Sequence, residues 1–138
     1  MNPIDNLYGN YDTMEYELGI EKGMRLKDIQ KGFNTAYPFL KLEFFKKPHS
    51  EKRLSPSSEK INPEEKIKKI PHHSGHHSIK IGSDRTVADL EQEFWKFFGL
   101  SAQVFRKSGN LWIETSLTDS WTLDKQNKIG ESFKGSSY

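Results

Sequence analysis

The 138-residue chain contains no cysteine, which excludes disulfide frameworks, thiolate metal sites and cysteine nucleophiles. It has no apolar run near the roughly 18 residues that a membrane-spanning helix needs, so no membrane partner is expected. The amino-terminal stretch MNPIDNLYGNYDTMEYEL has neither a basic start nor an apolar core, and does not read as a secretory signal. Apolar residues are scarce, at 33%, which is low for a compact fold. Walker, GxGxxG, GxSxG and HExxH patterns are missing as well, so no catalytic residue and no cofactor is assigned. The size and composition predict a single α+β domain over residues 1–138, cytoplasmic and non-enzymatic.

The charge present is unevenly placed. Residues 1–45 carry five basic and seven acidic side chains, residues 46–80 nine and four, and residues 81–138 seven and eight. The positive balance therefore belongs to the middle. That segment is rich in Pro, Ser, Lys and His, and is read as a basic loop insertion over residues 47–76. Within it, Asn62 followed by Pro63, Glu64 and Glu65 predicts the start of a short helix pinned by Ile67 and Ile70.

A repeat organises the rest. MRLKDIQKGFNTAY (residues 24–37) and RTVADLEQEFWKFF (residues 85–98) align at a separation of sixty-one. Leu26, Ile29 and Phe33 match Val87, Leu90 and Phe94 at helical spacing. Thr86 and Asp89 form a helix-start signal in the second copy. The match resumes at a separation of sixty, with Leu40–Lys47 over Leu100–Lys107, both alternating and rich in strand formers. Preceding strands are read at Thr13–Leu18 and His77–Ile81. Two strand–helix–strand units predict a ferredoxin-like antiparallel sheet with helices on one face. A hairpin through Ser108-Gly109 would add a strand over Asn110–Ser116 and pair Phe105 with Trp112. A final helix is expected from about Thr122 to Glu131.

Strand alternation sorts the side chains. Leu40, Leu42, Phe44, Leu100, Ala102, Val104, Leu111 and Ile113 form the core face. The opposite face carries Lys41, Glu43, Phe45, Gln103, Phe105, Lys107, Trp112 and Glu114. Cross-strand aromatics ordinarily stabilise sheets, and folding the C-terminal helix over this face would bury Phe45, Phe105 and Trp112. Left open, the same face would present stacking rings beside ammonium groups, the chemistry that captures unpaired bases. An open face would equally suit a protein partner. The candidate partner-binding residues are therefore Phe45, Phe105, Lys107, Trp112 and Trp121. His72, His73, His76 and His77 are the one metal-like cluster, although a Ser-Gly loop promises little rigidity for a metal. Glu91 and Glu93 are expected to face solvent.

The stretches MRLKDIQKGFNTAYPFLKLEFF and TVADLEQEFWKFFGLSAQVFRKSGNLWIETSLTDSWTLDKQN resemble small uncharacterised proteins of the Bacteroidota. The similarity covers residues 24–47 and 79–131, with the basic segment as a variable insertion. It implies a free-standing bacterial cytoplasmic protein and carries over no catalytic or binding residue. The function expected is that of a small adaptor or regulatory module that binds another protein. Single-stranded nucleic-acid binding and a His-cluster metal site are the alternatives.

Overall fold

A computed structural model describes residues 16–46, 59–71 and 73–133. The elements are β1 (Glu17–Glu21), α1 (Leu26–Ala36), β2 (Leu40–Phe45), β3 (His76–Lys80), α2 (Val87–Phe98), β4 (Ser101–Ser108), β5 (Leu111–Glu114), a 3₁₀ turn (Ser116–Thr118) and α3 (Leu123–Ser132). Each helix starts where its sequence provides an acceptor for an otherwise unpaired backbone donor. Asp28 accepts the Arg25 N–H at 3.0 Å, Thr86 Oγ1 the Asp89 N–H at 3.2 Å, and Thr122 Oγ1 the Lys125 N–H at 3.1 Å. Gly99, at φ 65°, ends α2 in the left-handed conformation that a side chain would disfavour. Leu26, Ile29 and Phe33 of α1 and Val87, Leu90, Phe94 and Phe98 of α2 are buried, together with Leu40, Leu42, Phe44, Ala102 and Val104 of the sheet.

The strands do not form one ferredoxin-like sheet. They divide into an antiparallel pair, β1–β3, and a three-stranded antiparallel sheet in the order β2–β4–β5. The β1 strand lies three residues later than its predicted end would place it, at Glu17–Glu21, and residues 13–15 fall outside those described. Alternation tells a strand which face to bury but not which partner to take, and here β1 pairs with β3 and β2 with β4, about sixty residues further on. Leu18 and Ile79, sixty-one apart, lie opposite one another, as do Glu43 and Gln103, sixty apart. The pairs Leu42–Val104 and Phe44–Ala102 exchange under the same shift. The registers thus centre the β1–β3 pair near Leu18/Ile79 and the β2–β4 pair near Glu43/Gln103, each with an approximate local twofold.

The correspondence reaches further than the aligned residues. In the first unit, Leu26 N–H donates to Glu65 O and Lys27 N–H to Pro63 O, both at 2.9 Å. In the second, Val87 N–H donates to Trp121 O at 3.1 Å and Ala88 N–H to Asp119 O at 2.8 Å. Ile67 N–H to Met24 O repeats as Leu123 N–H to Arg85 O, and the Arg25–Lys66 bridge repeats as Thr86–Thr122. Each helix start is therefore roofed by a later backbone segment of its own half. That role replaces the short helix predicted at Asn62: its side chain accepts the Glu64 N–H at 2.9 Å in a turn, and the chain passes on as a cap. Ile67 is buried and Ile70 packs against the core, so the end of the supposed insertion belongs to the fold.

The hairpin also differs in register. Its loop is Gly109-Asn110, pairing Lys107 with Trp112 and Phe105 with Glu114. A two-residue hairpin turn needs positive φ at its first central position, and this register puts Gly109, at φ 60°, there instead of Ser108. The shift is by two residues, so every side chain keeps its predicted face. Leu111 nevertheless stands at the hairpin tip, 69% exposed, beyond the reach of the core it was assigned to. Among the described residues, no helix is long and apolar enough to cross a membrane.

Candidate functional site

The face of the three-stranded sheet away from α1 and α2 carries Lys41, Glu43 and Phe45, then Ser101, Gln103, Phe105 and Lys107, then Trp112 and Glu114. The C-terminal helix does not lie over it. It is seated on the other face, where Gln126 Oε1 accepts from Arg106 Nη1 at 2.6 Å and Asn127 Oδ1 accepts the Phe39 N–H at 2.9 Å. Leu123 at its start is fully buried in the core. The approach is tight at Gly130, where a Cβ would stand 2.8 Å from Phe39 Cβ and 3.2 Å from Arg106 Cγ. Glycine is there for contact. Gly130→Ala, which in an open helix stabilises by about 1 kcal/mol, should instead destabilise by about 1–3 kcal/mol in chemical denaturation.

With that helix elsewhere, Phe105 and Trp112 remain half-buried beside two cations. Lys41 Nζ sits 5.0 Å from the Trp112 ring centre and 5.6 Å from that of Phe105, and Lys107 Nζ also sits 5.0 Å from Trp112. The register explains the cluster: Lys41 is directly opposite Phe105, and Lys107 directly opposite Trp112. Such cation–π contacts contribute about 0.5–1 kcal/mol each at exposed sites, little enough for an ammonium to turn toward an incoming anion. The acids on this face are held internally. Glu43 pairs with Lys60 and accepts from Gln30 Nε2 at 3.0 Å, and Glu114 Oε1 accepts the Ser116 N–H at 2.7 Å.

Two of the predicted site residues lie apart from this cluster. Phe45 is 3% exposed and offers no ring surface to a ligand. Trp121 stands on the α3 side, with Lys125 Nζ 4.2 Å and Arg106 Cζ 5.7 Å from its ring centre. Lys41 completes the cluster. The alternation pattern had placed it on this face, and the register was needed to show it reaching both rings.

The histidines are not gathered. His72 lies outside the described residues, and His73 is in a turn. His76 and His77 are consecutive in β3 and therefore point to opposite sides. His76 Nδ1 is 3.5 Å from Glu21, whereas His77 Nε2 is 2.9 Å from Glu93 Oε2, with Phe97 and Phe98 packed against its ring. Among the described residues, no three His, Asp or Glu side chains are grouped to hold a metal ion. Glu93 Oε1 also takes Arg85 Nη1 at 2.6 Å, so Glu93 fixes β3 to α2 and does not face solvent as expected.

Glu91 departs from expectation too. Its carboxyl Oε2 accepts the Val104 N–H at 2.9 Å, on the stretch of β4 that β5 does not reach, while Thr115 Oγ1 donates to Val104 O at 2.8 Å. Burial of the carboxyl end, with Asp119 and Glu114 nearby, pushes its pKa up to about 8 against the usual carboxylate value of 4.5. Its counterpart sixty-one residues earlier, Gln30, meets the outer edge of β2, donating to Leu42 O at 2.9 Å. Equivalent helix positions thus close the two strand edges, and the alignment of Gln30 with Glu91 was the sequence signal for it. No known protein family, curated protein or solved structure matches the chain.

Proposed function

We propose that this protein is a small non-catalytic binding module, and that the sheet face of Lys41, Phe105, Lys107 and Trp112 is its recognition surface. The observation that carries the reading is the pair of lysine ammonium groups, each 5.0 Å from the one indole ring. Rings and mobile cations supply stacking and charge, and transfer no proton or electron. The ligand they fit best is single-stranded nucleic acid: a base stacks on the indole while the ammonium groups turn to the flanking phosphates. Internal pairing of Glu43 and Glu114 lowers the repulsion a polyanion would meet. A protein ligand is the second reading, favoured by apolar side chains exposed elsewhere on the surface, Leu117 at 83% and Trp95 at 47%. The parallel capping of the two units further supports descent from an internal duplication.

The test is fluorescence titration of a Trp95→Phe/Trp121→Phe variant, whose emission is that of Trp112, with a short single-stranded oligonucleotide at low salt. Quenching is expected, with roughly 10- to 100-fold weaker binding for Trp112→Ala. Emission that stays flat while the fold is intact rejects the nucleic-acid reading. The binding surface itself is rejected if Trp112→Ala and Lys107→Glu alter association with no ligand of either class.

A further inference from the structure

The repeat leaves one half of the molecule without a part that the other half has. In the second unit, the chain leaves its cap at Leu123 and forms α3, which settles against Phe39 before β2 and Arg106 on β4. In the first unit, the chain leaves its cap at Ile67, the counterpart of Leu123, and no helix follows among the described residues before β3. It passes without regular secondary structure through Lys68 and Ile70 to Pro71, which lacks the backbone donor that a continuing helix needs. The counterparts of Phe39 and Arg106, at the separation of sixty, are Gly99 and Lys46. Both line a groove of about 490 Å³, together with Ile67, Lys68, Phe98 and Leu100. The groove therefore occupies the place that α3 fills in the other half, independently of the sheet face around Trp112.

We propose that this groove is a docking site for an amphipathic, acidic helix of a partner protein. Its geometry is that of a surface on which this fold already seats a helix. Its floor is apolar, from Ile67, Phe98 and Leu100, and its rim bears Lys46, Lys66 and Lys68, with Glu65 drawn to Lys68 at 3.7 Å. The charge of that rim selects carboxylates, as an acceptor on α3 already serves Arg106. The open space over Gly99 admits a large apolar anchor. Gly99 stands where Phe39 fills space in the other half, and among the described residues nothing lies within 4 Å of a Cβ built on Gly99. A helix laid in an apolar groove through anchors one turn apart is a common mode of peptide recognition.

The probe is a synthetic peptide of the α3 region, residues 118–133, carrying Gln126→Glu to face Lys46 and Gly130→Leu to fill the space over Gly99. Titrated into the isotope-labelled full chain, it should bind with Kd on the order of 100 μM and shift the amide resonances of Ile67, Gly99 and Leu100. Lys46→Glu/Lys68→Glu, at exposed positions, should weaken that binding at least about tenfold without altering the unbound spectrum. Equal or tighter binding of the unmodified peptide, insensitive to charge reversal, overturns the acidic partner and points to α3 of a second copy. No binding of either peptide at about millimolar concentration, or shifts confined to the Trp112 face, overturns the groove as a docking site.

Discussion

Glu91→Gln should flatten the pH dependence of stability. In the folded protein the Glu91 carboxyl holds its proton to about pH 8, whereas the unfolded chain releases it near 4.5. Between those values the folded state binds one proton more, so stability falls as pH rises and is lost through the folded pKa. Below about pH 4.5 this contribution is fully present. Denaturant melts from pH 5 to 9 should show the wild type losing about 2–4 kcal/mol, an upper range because the carboxyl end is only partly shielded and can relax. Glutamine keeps a neutral acceptor for the Val104 N–H and titrates nowhere in that range, so its curve should be level through the same window. Glu91→Ala should be destabilised at every pH by about 1–3 kcal/mol, because the Val104 donor loses its partner on an unpaired strand edge. A glutamine variant that tracks the wild-type curve would place the titrating group elsewhere.

The other large effect is expected in the core, where the repeat predicts equality. Phe33 and Phe94 are counterparts at the separation of sixty-one, and each is 0% exposed. Phe94 packs edge-on against Phe44 with ring centres 5.3 Å apart, and Phe33 lies 5.7 Å from Tyr37, whose hydroxyl donates to Ile81 O at 2.7 Å. Phe33→Ala and Phe94→Ala should each cost about 3–5 kcal/mol in urea denaturation, since each loses the transfer energy of a ring and leaves a cavity. For a domain whose whole stability is about 5–15 kcal/mol, the double variant should not fold. The two single costs should agree within about 1 kcal/mol if both halves share one core. A cost below about 1 kcal/mol for either would mean that its half packs separately.

Much of the local structure was legible because it rests on short-range rules. Thr86 with Asp89, and Thr122 with Asp124 in the first turn, mark helix starts whose threonine caps form, and the burial of Leu26, Ile29 and Phe33 follows from helical spacing alone. Face assignments along β2, β4 and β5 survive even a two-residue error in the hairpin register, since an even slip leaves alternation intact. The site was legible in the same measure. Phe105, Lys107 and Trp112 share a face because strand geometry requires it, but Phe45 shares that face and is buried.

What alternation and helical spacing determined, then, was the inventory: two strand–helix–strand units, a hairpin, a last helix, and the side of each that turns inward. Only the tertiary structure decided how the units combine. Pairing β1 with β3 and β2 with β4 buries the same apolar faces that a single ferredoxin-like sheet would bury, so the hydrophobic pattern does not distinguish the two. The choice rests on contacts between residues about sixty positions apart. Those contacts turned Glu91 and Glu93 from apparent surface acids into groups that tie α2 to β4 and β3. They sent α3 to the Phe39 side of the sheet, leaving Trp112 with its lysines and, among the described residues, a groove at Gly99 that no helix covers.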